Sequence, residues 1–207
     1  MDKSYKNYTI GNNNVKNPKL YIVKPVASSQ GKGIYITDNV EDIIKRSNQQ
    51  IVVSQYIMNP LLINGFKFDL RIYVCITSID PMRIYIFEEG IARFATEQFS
   101  TSDTSMGNRF MHLTNYSVNK HSSNFYIDSH IPNIGNKWFL SALYEELSLL
   151  GHDVELIKIK IEDVIIKSII AVEDSLFRAY ENNVPFKDNC FCLLGYDILI
   201  DDNLDPW

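Results

Sequence analysis

From Phe66 to Ser78 apolar and polar residues alternate: Phe68, Leu70, Ile72, Val74 and Ile76 hold one parity, and Lys67, Asp69, Arg71, Tyr73 and Cys75 hold the other. Successive side chains of a strand point to opposite faces, so this segment predicts one long strand with an apolar face and a face carrying Lys, Asp and Arg together. A strand of that kind must lay its apolar face on other elements. The composition permits it, with 45% apolar residues, 12 Tyr, 11 Phe and only 22% charged residues in 207. Such a chain fits one large domain or two small lobes and excludes collagen, coiled coil and disordered tail.

The remaining elements arrange themselves around that strand. Residues 1–18 are polar and Asn-rich and read as an entry segment. Leu20 to Lys24 is a short β-branched run, Ala27 to Gly33 a small-residue loop, and Ile34 to Thr37 a second strand. Asp38 to Ser47 predicts a helix, and Ile51 to Ile57 a returning strand. After the long strand, Arg83 to Phe87 is its partner, Glu88-Glu89-Gly90 reads as a turn, and Ile91 to Ala95 pairs again in a meander. Residues 96–136 are rich in Ser, Thr, Asn and Gly, a long irregular region of the kind that carries function. Trp138 to Leu150 and Glu162 to Tyr180 predict helices, and Cys190 to Ile200 a buried strand.

Several classes of chemistry are excluded by what is missing. Cys75, Cys190 and Cys192 form no disulfide framework and read as reduced core thiols. His112, His121, His130 and His152 match no zinc spacing, and there is no G-x-S-x-G elbow, Walker A loop or dinucleotide fingerprint. The start has no hydrophobic signal region and no apolar stretch is long enough to span a bilayer, so the expected address is cytoplasmic, with neither membrane nor nucleic acid as partner. The net charge of −5 is unevenly spread: basic residues predominate over 1–46 and acidic ones over 145–207. The basic end could face phosphates and the acidic end a divalent cation, although a solvated surface explains the same asymmetry.

Within this frame a few residues stand out. Lys24 ends a strand, and Gln30-Gly31-Lys32-Gly33 is either a hairpin turn or a loop whose N–H groups approach a triphosphate. Lys67, Asp69 and Arg71 share one strand face, which suits either cross-strand ion pairs or a polyanion. Arg93, in a β context, requires an anionic partner, and its planar fork is suited to a carboxylate. Thr114, Asn115 and Ser117 open the irregular region, where they either cap a turn or hold a ligand. Asp197 sits among apolar neighbours and calls for a metal or a Lys/Arg partner.

Five blocks, read together, closely resemble the tubulin tyrosine ligase-like family: Tyr21 to Ile34, Asn59 to Val74, Glu88 to Phe94, Phe110 to Lys120, and Leu194 to Trp207. Tyr116 to Lys120 and Gly135 to Trp138 are similar to its tubulin polyglutamylase branch. The resemblance implies an α+β ATP-grasp fold, two lobes clamping ATP, with 19–90 as the central lobe and 91–207 as an incomplete C-terminal lobe. It implies an ATP-dependent ligase that adds L-glutamate to glutamate side chains of tubulin tails through an acyl phosphate, on the microtubule cytoskeleton, a cilium or basal body included. Lys24, Gln30, Gly31, Lys67, Phe68, Asp69, Thr114 and Asn115 would contact ATP, and Ser54, Gln55, Tyr56 and Ile57 would line the adenine slot. Arg93, Ser117 and Lys137 would take the incoming glutamate, Arg71 would stabilise the acyl phosphate, and Asp197 would bind Mg²⁺. In the family a Glu and an Asn follow soon after the Pro-Trp pair and complete the magnesium site, so a chain cut at both ends is expected to bind ATP-Mg²⁺ weakly. A non-catalytic nucleotide- or microtubule-binding fragment and a glycine ligase are the alternatives.

Overall fold

A computed structural model describes residues 19–27, 31–46, 50–102, 105–126, 135–185 and 190–207. Two antiparallel sheets organise a mixed α/β chain. The first is built from β1 (Tyr21–Pro25), β2 (Tyr35–Thr37) and β3 (Ile51–Gln55), with β1 in the middle and helix α1 (Val40–Arg46) between β2 and β3. Asn39 opens α1 by accepting the N–H of Glu41 at 2.9 Å, the usual way a short polar side chain satisfies a first-turn donor.

The second sheet is centred on the long alternating segment, which is β5 (Phe66–Ile79). One edge of β5 pairs with β6 (Met82–Phe94), and the other is shared by the two-residue β4 (Leu62–Ile63) and by β8 (Cys192–Ile198). β7 (Lys137–Phe139) extends the sheet beyond β6. Phe68, Leu70, Ile72, Val74 and Ile76 all point into the core, where they meet Leu140, Leu143 and Leu147 of α4 (Leu140–Leu149) and Ile157, Ile161, Ile165 and Ile169 of α5 (Val154–Ile170). The four-residue spacing of those isoleucines puts one stripe of α5 on the sheet, while Ile166 and Ile170 stay exposed.

The structure departs from the sequence expectations at four places. Glu88-Glu89-Gly90 is not a turn: β6 runs through it, and the register jumps from Ile72↔Gly90 to Val74↔Ile86, so the extra residues bulge. Residues 90 and 91, between which the sequence divides its two lobes, therefore lie inside one strand. Glu89 is used elsewhere, accepting the Ser141 N–H at 3.1 Å and the Ser141 hydroxyl at 2.7 Å to cap α4. Trp138 belongs to β7 rather than to a helix, its indole N–H held by the Gly135 carbonyl at 2.9 Å. The single helix expected over 162–180 is two, α5 and α6 (Glu173–Asn183), broken at Ala171-Val172 without any glycine or proline to announce it. Cys190 and Cys192 are exposed, before and at the start of β8, and Cys75 on the outer face of β5 is only half-buried, because the start of β8 lies at the open end of the sheet and the strand becomes buried only at Ile198; all three are free thiols.

Between the sheets lie the one-turn helices α2 (Arg109–His112) and α3 (Tyr116–Asn119). Asn119, wholly buried, accepts from the backbone N–H and hydroxyl of Thr96 and donates to the carbonyls of Leu113 and Asn115, so it holds this irregular region to the end of β6. Among the described residues no helix is long and apolar enough to cross a membrane.

Gly90 has no space for a side chain, since a Cβ there would lie 2.6 Å from the Arg71 carbonyl oxygen. Gly90→Ala is expected to destabilise the chain by about 1–3 kcal/mol by forcing β5 and β6 apart. A urea titration followed by circular dichroism checks this; an unchanged midpoint contradicts it.

Candidate active site

The outer face of β5 carries the polar residues that the alternation predicts, and the register supplies their partners. Asp69 stands opposite Arg93 of β6, Arg71 opposite Asp197 of β8, and Arg93 opposite Lys137 of β7. Four side chains thereby form one cluster. Arg93 grips Asp69 with two nitrogens, its Nε donating to Oδ1 at 2.8 Å and a terminal nitrogen to Oδ2. That terminal nitrogen also meets Asp197 Oδ1 at 2.8 Å, and Arg71 Nε donates to the same oxygen at 2.6 Å. Burial works against the charge of Arg93, but the hydrogen bonds and charges of Asp69 and Asp197 outweigh it and raise its affinity for the proton. Asp197 thus has arginine partners in place, one of the two kinds the sequence called for. Its side chain remains 47% exposed and that of Arg71 32%, against 14% for both Arg93 and Asp69.

Beside the cluster opens a cleft of about 260 Å³ lined by Arg71, Tyr73, Arg93, Thr114, Asn136 and Lys137. That is below the size range of pockets for drug-sized ligands, so it suits one small molecule with anionic groups. Ser117 does not join this cleft. It lines a separate one with Lys32, Arg109, Lys120 and His121.

Lys67 also lies on the outer face, but it is only 6% exposed rather than displayed to solvent. Its ammonium donates to the Tyr56 hydroxyl at 3.0 Å and sits 4.6 Å from the centroid of that ring, a cation–π contact. Burial pushes the Lys67 ammonium down to about 8; Asp69 raises it in part and Lys24 lowers it further. Tyr56 in turn is 2.9 Å from His112 Nδ1, and His112 Nε2 is 3.0 Å from the Ser105 carbonyl oxygen. Tyr56 therefore turns its side chain inward, toward Lys67 and His112. Ser54 and Gln55 are exposed on β3, Ile57 is half-buried, and Phe68 belongs to the core.

The glycine loop reaches this region through its described part. Gly31 is buried at φ +71, a Cβ there would come within 3.1 Å of Asn115 Oδ1, and its carbonyl accepts from Arg109 at 2.6 Å. Gln30 lies outside the described residues. Lys24 is exposed on β1. No group of three or more His, Cys, Asp or Glu side chains suited to a metal occurs among the described residues. His112, Asn119, Arg109 and Phe99 escaped the sequence reading as participants, because their partners lie at distances along the chain that no local spacing encodes.

Comparison with known proteins defines the class. The tubulin-tyrosine ligase family matches residues 3–207, and the chain belongs to that family. It is 48% identical over 189 residues to a Mus musculus protein named tubulin polyglutamylase TTLL5, covering 90% of this chain and 14% of that protein. It is 46% identical over 193 residues to Homo sapiens tubulin polyglutamylase TTLL6 (91% of this chain, 21% of the relative). With Homo sapiens tubulin monoglutamylase TTLL4 it shares 44% identity over 188 residues (90% and 16%). The chain therefore spans about a seventh to a fifth of the length of these relatives.

The depressed Lys67 ammonium has a signed consequence for stability. Below pH 8 both folded and unfolded chains hold the proton and the full desolvation cost is present. Between about pH 8 and 10.5 the folded chain has released it while the unfolded chain has not, so stability rises with pH, by about 3 kcal/mol at most. Lys67→Met is expected to abolish that rise while leaving the chain at least as stable at pH 7. Urea midpoints of both proteins from pH 7 to 10 test it, and parallel curves would contradict it.

Proposed function

We propose that this chain is the ATP-binding part of a tubulin-glutamate ligase with an ATP-grasp arrangement, the two sheets serving as jaws. The observation that carries the reading is the polar face of the sheet around β5: two arginines and two carboxylates converge beside a small cationic cleft, with a buried lysine on the same face of β5, in a family whose similar members are named for tubulin glutamylation. Two anions, a carboxylate and ATP, repel each other, and joining them requires fixed positive charge placed before they meet.

In this reading Lys67 and Lys24 meet the ATP phosphates, the Gln30-Gly31 loop covers them, and Asp69, Thr114 and Asn115 complete the nucleotide contacts with the Ser54 to Ile57 segment beside the base. An oxygen of the acceptor glutamate side chain attacks the γ-phosphorus, and ADP leaves. The amine of the incoming glutamate then attacks the acyl carbon and releases phosphate and a proton, forming an isopeptide bond. Arg71, a third exposed at the rim, faces the acyl phosphate. Arg93 and Lys137, adjacent across β6 and β7, face the two carboxylates of the incoming amino acid, with Ser117 as a further contact from the neighbouring cleft.

Asp197 is the side chain that would hold Mg²⁺: it is a half-exposed carboxylate beside the cluster, and Mg²⁺ takes one or two carboxylates together with phosphate oxygens. When bound, that ion neutralises phosphate charge. Asp69, besides its place at the nucleotide, is gripped by Arg93 from both oxygens and so also holds that guanidinium toward the cleft. The acceptor is the tail of tubulin, and the site of action is the microtubule cytoskeleton, cilia included.

Glutamate carries a side-chain carboxylate that glycine lacks, and the Arg93-Lys137 pair supplies its counter-charge. With tubulin, ATP and radiolabelled amino acids in competition, glutamate is expected to be incorporated in preference to glycine. Lys137→Ala is expected to reduce glutamate incorporation roughly tenfold or more, and Arg93→Ala to abolish it. Equal incorporation of both amino acids, or full activity of Arg93→Ala, sinks the assignment.

A further inference from the structure

We propose that His112 is a positioning residue that aims the Lys67 ammonium into the nucleotide cleft through the Tyr56 hydroxyl. The inference rests on the reading that Lys67 meets ATP, and deepens it.

The direction of each hydrogen bond follows from chemistry. The Ser105 carbonyl can only accept, so the proton between it and His112 resides on Nε2. A neutral imidazole protonated at Nε2 has a bare Nδ1, and the Tyr56 hydroxyl 2.9 Å away must donate to it. The phenolic hydrogen is thereby committed, and the oxygen turns only lone pairs toward Lys67 Nζ, 3.0 Å away. An ammonium has three donors and no acceptor, so it is held only if that oxygen is free to accept. With the opposite tautomer, Nδ1–H would donate to the Tyr56 oxygen in competition with the ammonium, and the buried phenolic hydrogen would lose its His112 acceptor, so the contact to Lys67 would be weakened. A loop carbonyl thus decides how a lysine on another strand is oriented.

The arrangement is built to keep this state. Tyr56 and His112 are each 3% exposed, and the imidazole is wedged edge-on between Tyr56 and Phe99, both with centroids at 5.6 Å and planes near perpendicular. Burial holds His112 toward its neutral form against the Ser105 bond, and the Lys67 charge adds to that. The four members come from α2, the loop before it, the residue after β3 and β5, so the lysine is aimed only once both sheets are assembled.

Two amide replacements separate positioning from plain packing. Asparagine places its carbonyl oxygen near Nδ1, keeping the acceptor for Tyr56 and losing the bond to Ser105. Glutamine places its N–H near Nε2, keeping the Ser105 bond and losing the acceptor. ATP with magnesium chloride is titrated calorimetrically into the chain and its variants, with melting temperatures recorded alongside. Lys67→Met is the reference: if the parent chain binds no ATP, or Lys67→Met binds it as the parent does, the nucleotide role of Lys67 falls and the inference with it. Where Lys67→Met weakens binding, His112→Asn is expected to stay within about threefold of the parent, whereas His112→Gln and Tyr56→Phe weaken it roughly tenfold. Tyr56→Phe removes one oxygen and keeps the ring, so it decides the matter even if a His112 variant fails to fold. Parent-like affinity in Tyr56→Phe and His112→Gln, or equal losses in the Asn and Gln variants that track their melting temperatures, overturns the proposal while leaving Lys67 in place.

Discussion

The guanidinium of Arg93 is the joint on which the site depends. It lies on β6, holds Asp69 of β5 with two nitrogens, and shares Asp197 of β8 with Arg71. Asp197 is 128 residues from Asp69 in the chain, yet both carboxylates are brought to one cation by strand register alone. Two mostly buried charges are costly singly, and each is tolerable here because the other neutralises it within hydrogen-bonding distance. Without Arg93, Asp69 on β5 and Asp197 on β8 would lose the cation they share. The cluster grades from inside to outside: the Asp69-Arg93 pair is mostly buried, with Arg93 forming part of the cleft wall, whereas Arg71 and Asp197 are more exposed.

A second polar joint ties the two sheets. Lys67 from β5, Tyr56 after β3, His112 in α2 and Ser105 in the preceding loop form a continuous hydrogen-bonded line through a region that apolar packing alone would leave unspecific. Arg109 adds a bond from α2 to the Gly31 carbonyl, so the glycine loop, the irregular region and the long strand are mutually placed. Nearby, Asn119 satisfies four groups at once. The long polar stretch over 96–136 is thus organised by side-chain to backbone bonds in the parts described, in place of a hydrophobic core of its own.

How much could be read in advance varied with the range of the interaction. The alternation from Phe66 onward was legible because a period of two is a local signal, and its apolar members all enter the core. The outer-face trio was legible for the same reason, but the fate of each member was not. Lys67 is buried by Tyr56 and Phe99, Asp69 is occupied by Arg93, and Arg71 meets Asp197. Asp197 is marked in the sequence by the cost of an anion among apolar neighbours, which needs a partner wherever it comes from. The Glu88-Glu89-Gly90 turn misled because the same residues serve a bulge: Gly90 allows the Arg71 backbone to approach, and Glu89 caps a helix fifty residues on. The break at Ala171-Val172 carried no local mark at all.

The sequence by itself determined the strand-rich framework, the polar face of β5, the residue types that a phosphate and a carboxylate require, and, through five spaced blocks, the family. Those are properties of neighbours along the chain, set by backbone geometry and side-chain chemistry. Only the tertiary structure decided which arginine meets which carboxylate, that Ser117 and Lys137 line different clefts, and that a histidine stands behind the buried lysine. Such pairings depend on register and on contacts between residues far apart in sequence, and they come into being only when the sheets close on one another.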